Sequence, residues 1–170
     1  MTSIRVGHGY DLHRLEALAP VGAGKPLVLG GVRLEHDRGV VAHSDGDALY
    51  HAVTDAILGA LALPDIGQLF PDTDPRHESQ DSAVFLQAAG AKAKTLGWKI
   101  GNIDATVILE RPKLSPHKDA MRANIARVLG IGLGDVNIKG KTHEKVDAVG
   151  EGRAVEVHVV VLMERVGARD

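Results

Sequence analysis

The sequence predicts an α+β fold in which a mixed β-sheet carries helices packed on one face. Apolar residues alternate with period two at both ends of the chain, in Ile4 and Val6 and again in Val155, Val157, Val159, Val161 and Met163. Between them the period turns helical in three separate runs, near Asp47, Ala83 and Ser115. A chain of 170 residues, 44% hydrophobic and 25% charged, is long enough for one core and short for two. It reads as a single domain, with residues 166–170 as a flexible tail.

The opening strand, Ile4 to Val6, is expected to run into a turn at Asp11 to His13 within "GHGYDLHRL". Were the chain extended there, the Asp11 carboxylate and His13 imidazole would point the same way. "PLVLGGVRL", Pro26 to Leu34, reads as a hairpin around Gly30 and Gly31. From Asp47 to Leu63, apolar residues recur at helical spacing, with Ser44 or Asp45 as the N-cap. Leu63 to Ser82, rich in proline and aspartate, is a long loop, a feature often functional in a compact domain. A helix over Ala83–Leu96 follows, with Phe85, Leu86, Ala89, Ala93 and Leu96 inward, and then a strand over Ile100–Leu109 that "RPKLSPH" breaks. Ser115 as N-cap and Pro116 at the first helical position open another helix, closed by Gly130. Val136 and Ile138 mark one further strand, and Val155 to Met163 the last. Both faces of that last strand turn apolar from its middle onward; the face away from the helices either meets a second copy of the chain or lies between two layers of its own.

Composition excludes several classes. Aromatics are 3% of the chain and the net charge is −2, so neither a stacking platform nor a basic surface for nucleic acid is expected. No apolar run approaches the roughly 18 residues of a membrane span, and the N-terminus has no signal-like stretch, so a soluble intracellular protein is expected. The absence of cysteine removes disulfides, thiolate nucleophiles and sulfur-ligated zinc, leaving nitrogen and oxygen as the only metal ligands.

Residues four apart share a helix face, so Asp47, His51 and Asp55 form an acidic stripe around an imidazole. A lone D-x-H arises readily by chance. Asp11, His13 and His51 together offer three N/O ligands with one position open, the set of a catalytic rather than a structural zinc. His43 and Ser44 precede the helix start, where free N–H groups and the helix dipole favour an anion; simple capping by Ser44 and Asp45 is the plainer reading. Asp65, Asp72 and Asp74 suit turns, and beside an anionic substrate they would need a cation or sugar hydroxyls. Thr142 and Glu144 in "KTHEK" would share a strand face, with Glu144 suited to a hard cation such as Mg²⁺. Arg111 and Lys113 taken alone are a solvated charged loop. There is no G-x-S-x-G, P-loop, dinucleotide fingerprint or H-E-x-x-H, so zinc here lacks the usual glutamate base for activating water.

Taken together, "GHGYDLH", "LGGVRL", "AHSDGDALYHAVTDAILGALALPDIGQLFPDTDP", "ERPKLSPH" and "VNIKGKTHEK" closely resemble the 2-C-methyl-D-erythritol 2,4-cyclodiphosphate synthase family of the non-mevalonate isoprenoid pathway, from Arg5 to about Leu162. The resemblance implies a metal-dependent phosphorus–oxygen lyase that closes 4-diphosphocytidyl-2-C-methyl-D-erythritol 2-phosphate into a cyclic diphosphate and releases CMP. By carry-over, Asp11, His13 and His51 hold Zn²⁺, and Glu144 holds a second divalent cation, Mg²⁺ or Mn²⁺. His43 and Thr142 stabilise the transition state. Ser44, Asp65, Ile66, Gly67, Phe70, Pro71, Asp72, Thr73 and Asp74 bind substrate, while Leu109, Glu110, Arg111, Pro112, Lys113, Leu114 and Ser115 hold the cytidine. The family also implies a homotrimer, three sheets around a threefold axis with active sites between subunits, located in bacterial cytoplasm or plastid stroma. After "HEK" many members read roughly "LGFTGRGEG"; here "VDAVGEGRAVE" is shorter, so Glu156 matches an axis-facing glutamate, but the arginine often paired with it has no equivalent in register and Arg153 stands nearest. Two other readings use the same residues: a zinc phosphohydrolase, in which water is the nucleophile, and a non-catalytic trimer that binds metal or isoprenoid.

Overall fold

A computed structural model describes residues 4–71, 73 and 79–167. In chain order the elements are β1 (Ile4–Ala17), β2 (Val28–Leu29), β3 (Val32–Arg33), β4 (Arg38–Val40), α1 (Ala48–Ala60), α2 (Ile66–Leu69), α3 (Ala83–Thr95), β5 (Trp98–Ile108), α4 (Lys118–Leu129), β6 (Val136–Lys141), α5 (Asp147–Gly150) and β7 (Ala154–Arg165). Five strands form one sheet in the order β4-β1-β7-β5-β6. β7 pairs antiparallel with β1 and β5, whereas β5 and β6 run parallel across the α4 connection, so the sheet is mixed as the pattern predicts. β2 and β3 form the expected hairpin, with Gly30 and Gly31 at φ 57° and 68°, values that suit glycine at both centres of a tight turn.

The alternation in β7 becomes a two-sided element. Val155, Val157, Val159, Val161 and Met163 are fully buried beneath the helices; each contributes on the order of 2 kcal/mol of apolar burial. Helix α1 lies on β1 and β7, α3 packs against α1 and β5, and α4 packs against β6 and α3. The opposite face carries Val6, Tyr10, Leu12 and Val160 at 63%, 47%, 44% and 44% exposure. Among the described residues, no element of this chain covers it.

Several boundaries differ from expectation, each for a local reason. β1 does not turn at Asp11 to His13; it stays paired through Asp11↔Val157 and His13↔Val155 and continues to Ala17. The cap of α1 is Asp47, not Ser44 or Asp45, because only the Asp47 carboxylate reaches the N–H groups of Leu49 and Tyr50. Ser115 caps nothing: buried Leu114 anchors a tight turn, in which His117 N–H donates to the Leu114 carbonyl at 2.9 Å, and α4 begins after it. Gly130 does end α4, in the left-handed region. Leu96, at the C-cap of α3, is 44% exposed rather than inward. The short elements β4, α2 and α5 lack enough length to impose a period and were not expected.

Gly7 and Gly9 fix how α1 sits. A Cβ at Gly9 would lie 1.8 Å from the Ala52 carbonyl oxygen, and one at Gly7 1.9 Å from that of Ala56. Together with Ala52, Ala56 and Ala60 on the facing ridge, they let helix and strand meet backbone to backbone. Asp11 and His13 continue the same face of β1, so the helix that rests on the glycines carries His51 directly over them.

Candidate active site

Two elements converge on one point. Asp11 Oδ2 lies 3.1 Å from His13 Nε2 and 3.0 Å from His51 Nδ1, and the two ring nitrogens are 3.3 Å apart. All three ligand atoms fall within 4.8 Å of one another. Burial raises the Asp11 carboxyl, but hydrogen bonds and charge from His13 and His51 outweigh it and hold the group well below the usual carboxylate range. Burial lowers His51, and the bond to Asp11 with nearby carboxylates lifts it above its ordinary value. Two imidazole nitrogens and one carboxylate oxygen, partly buried and open on one side, suit a divalent zinc ion.

The cluster lies in a hollow of about 570 Å³ that His43, Ser44, Ile66, Gly67, Phe70 and Phe85 also line. The His43 Nε2 atom is buried and finds no hydrogen-bond partner among the described residues. The proposed anion seat at the N-terminus of α1 is already filled, since Asp47 accepts from Leu49 and Tyr50 as well as from Gly30 and Gly31 of the hairpin turn, at 2.7 to 3.1 Å. Burial pushes the Asp47 carboxyl up to about 6 against the pull of those N–H groups. The stripe therefore divides by role: Asp47 caps, His51 faces the cluster, and Asp55 accepts from Ile66 N–H at 2.8 Å, tying α2 to α1. Asp65 caps α2 through Oδ1, which accepts from Gln68 N–H at 2.9 Å. Pro71 and Thr73 are exposed, and Asp72 and Asp74 lie outside the described residues.

A second hollow, of about 350 Å³, lies at the ends of β5 and β6 and, among the described residues, shares no lining residue with the first. It brings together Leu109, Glu110, Pro112, Lys113, Leu114 and Ser115 with Thr142 and Glu144. Arg111 is not part of its lining and pairs with Asp37 at 3.2 Å. Thr142 and Glu144 do not share a strand face: β6 ends at Lys141 and Glu144 has φ 51°. They still meet, with the Thr142 hydroxyl 3.1 Å from Glu144 Oε1. On the uncovered sheet face, Glu156 contacts His158 at 2.8 Å, and Arg153 is paired with Glu151 rather than Glu156.

Sequence reasoning missed Asp47 as the cap, although it directly precedes the helical run, which is the positional signal for one. It also missed Lys25, whose Nζ donates to the carbonyls of His43 and Ser44 at 3.0 and 2.7 Å and pins the segment that carries them. Lys25→Met keeps the aliphatic stem but leaves both carbonyls without that donor; a loss of about 1–3 kcal/mol is expected, read as an earlier denaturant midpoint at unchanged m-value.

The YgbB family model matches residues 4–164. The chain is 56% identical over 163 residues to the chloroplastic 2-C-methyl-D-erythritol 2,4-cyclodiphosphate synthase of Catharanthus roseus, covering 96% of this chain and 66% of that protein. It is 51% identical to the synthase of Chromobacterium violaceum, covering 94% of this chain and 97% of that protein. The chain thus spans about two thirds of the plant relative and nearly all of the bacterial one. Among solved structures, IspF of Plasmodium falciparum in complex with CDP superposes with a TM-score of 0.85 at 39% identity, covering 98% of this chain and 99% of that one. The chain therefore belongs to the YgbB family, alongside the 2-C-methyl-D-erythritol 2,4-cyclodiphosphate synthases.

Proposed function

We propose that the chain converts 4-diphosphocytidyl-2-C-methyl-D-erythritol 2-phosphate to 2-C-methyl-D-erythritol 2,4-cyclodiphosphate and CMP, a step in isoprenoid precursor biosynthesis. The observation that carries this is the convergence of Asp11, His13 and His51 in the same hollow as His43, Ser44, Ile66 and Gly67, in a chain 51% identical to a named synthase. The substrate brings its own nucleophile: an oxygen of the 2-phosphate attacks the β-phosphorus, the bond to the CMP oxygen breaks, and CMP leaves with that electron pair. No base is required, which agrees with the absence of an H-E-x-x-H motif from the sequence. Asp11, His13 and His51 would hold Zn²⁺ and Glu144 a Mg²⁺ or Mn²⁺ ion; when bound, such cations offset phosphate charge and act as Lewis acids.

The protein's own groups divide the remaining work. The buried, unpartnered His43 Nε2 is available to a phosphate oxygen. The Thr142 hydroxyl is held by Glu144 within the hollow that Lys113 and the backbone of Leu109, Glu110, Pro112, Leu114 and Ser115 frame for cytidine. Ile66, Gly67 and Phe70 wall the hollow around the erythritol and limit water.

A homotrimer completes this reading. One substrate must reach two hollows that share no lining residue among the described residues, and an assembly in which the uncovered β1/β7 face packs around a threefold axis would set the hollow of one subunit against the other hollow of its neighbour. Sedimentation equilibrium is expected to give three times the chain mass. Incubation with substrate and Mg²⁺ is expected to release CMP and a cyclic diphosphate in equal amounts by ³¹P NMR. An open-chain phosphate product would instead indicate hydrolysis, and no turnover a binding role.

A further inference from the structure

The far edge of His51 carries an arrangement that the reaction scheme does not use. Nδ1 faces Asp11 and His13, while Nε2 lies 2.8 Å from the hydroxyl of Ser82, which is fully buried. That hydroxyl in turn makes a short hydrogen bond to Asp45 Oδ1. Asp45 also accepts from Ser82 N–H and from Asp47 N–H, both at 3.1 Å, so its carboxylate is fixed from two sides. Ser44 Oγ, 3.4 Å from the same Nε2, already accepts from Gly46 N–H.

The direction of these bonds follows from the donor inventory. A carboxylate only accepts, so the single Ser82 proton goes to Asp45. The Ser82 oxygen can then only accept from His51, which places a ring proton on Nε2; the Nδ1 proton that Asp11 accepts in the metal-free protein is the one a metal would displace, and the Nδ1 lone pair is then the one that faces the cluster. A partner on the far nitrogen is the usual means by which a protein orients and tunes a ligating imidazole. We infer that Ser82 and Asp45 are positioning residues that hold His51 in the Nε2–H tautomer and in the ring orientation that presents Nδ1 to a divalent metal.

The pair also joins two chain segments. Residues 79–82 are stitched to the lead-in of α1 by Ser79 N–H to the His43 carbonyl at 2.9 Å and Asp45 N–H to the Gln80 carbonyl at 3.1 Å. Residues 79–82 thereby set the angle of the proposed metal ligand, and Ser82 belongs to that centre although it is remote in sequence from Asp11, His13 and His51. Ser82 offers no side-chain cap to α3, so removing its hydroxyl does not also remove a cap.

This inference rests on the metal role proposed for His51, and its test is read without turnover. Zinc affinity of the metal-free protein is measured by competition with a chromophoric chelator, and the His51 tautomer by long-range ¹H–¹⁵N correlation in the zinc-loaded trimer or monomer as isolated. Ser82→Ala is expected to weaken zinc binding about 10- to 100-fold and to leave His51 in mixed tautomers. Ser82→Thr, which keeps the hydroxyl, is expected to restore both. Zinc affinity within twofold of wild type in Ser82→Ala, or a ring proton on Nδ1 in the zinc-loaded wild-type protein, overturns the inference. Loss of cyclase activity in every form, with these shifts intact, would count against the proposed reaction and not against this arrangement.

Discussion

His51→Ala is expected to lower turnover by about 10³-fold or more, because losing several kcal/mol of charge stabilisation at the transferring phosphate carries that factor. In the proposed zinc site its imidazole is the one donor from α1, whereas Asp11 and His13 both come from β1. The substitution removes a side chain 13% exposed whose partners among the described residues are polar groups and the His13 and Phe85 rings. The fold should therefore survive, with an unchanged far-ultraviolet circular dichroism spectrum. Elemental analysis is expected to show less than one zinc per chain where wild type retains one. Chelation of the wild-type protein should give the same loss and re-addition of zinc should reverse it, whereas in His51→Ala added zinc should not help. A variant that keeps both its zinc and its rate would remove His51 from the mechanism.

What could be read beforehand follows from how local each feature is. Asp11, His13 and His51 could be singled out together because in a chain without cysteine they offer a set of nitrogen and oxygen ligands that the family resemblance also picks out, and the strands and long helices could be read because apolar period is written into consecutive residues. Asp65 illustrates the converse. The residue type fits both a turn and a substrate contact, and only the hydrogen bond from Gln68 N–H shows that one of its oxygens caps α2. Ser82 and Lys25 could not be found from their neighbours at all. Each acts on a partner 31 or 18 residues away, brought near by the packing of α1 against β1 and of the loops above it. The boundaries that moved did so where a tertiary group outweighed a local signal: Asp47 displaced Ser44 and Asp45 as cap because it also satisfies the hairpin N–H groups of Gly30 and Gly31.

The second large effect is expected at a residue with no side chain. Gly9→Val would place a Cβ 1.8 Å from the Ala52 carbonyl oxygen and 2.7 Å from the Ala56 backbone nitrogen, contacts that no rotamer relieves because both partners are main chain. Either α1 lifts from β1, opening the core above Val157 and Val159, or β1 leaves its register with β7. Both exceed the usual 1–3 kcal/mol of overpacking, and a loss of about 4 kcal/mol or more is expected, enough to leave little native protein at ambient temperature. Partial folding would still separate His51 from Asp11 and His13, so zinc retention should fail alongside stability. Gly59→Ala is the matched control on the same helix. There a Cβ would meet nothing closer than the His8 carbonyl oxygen at 3.7 Å, and exchange of glycine for alanine within a helix is expected to add about 0.5–1 kcal/mol. Urea titrations of the two variants should therefore move in opposite directions; a Gly9→Val protein with a wild-type midpoint would mean that α1 does not rest on the backbone of β1, and with that the placement of His51 over its partners would lose its cause.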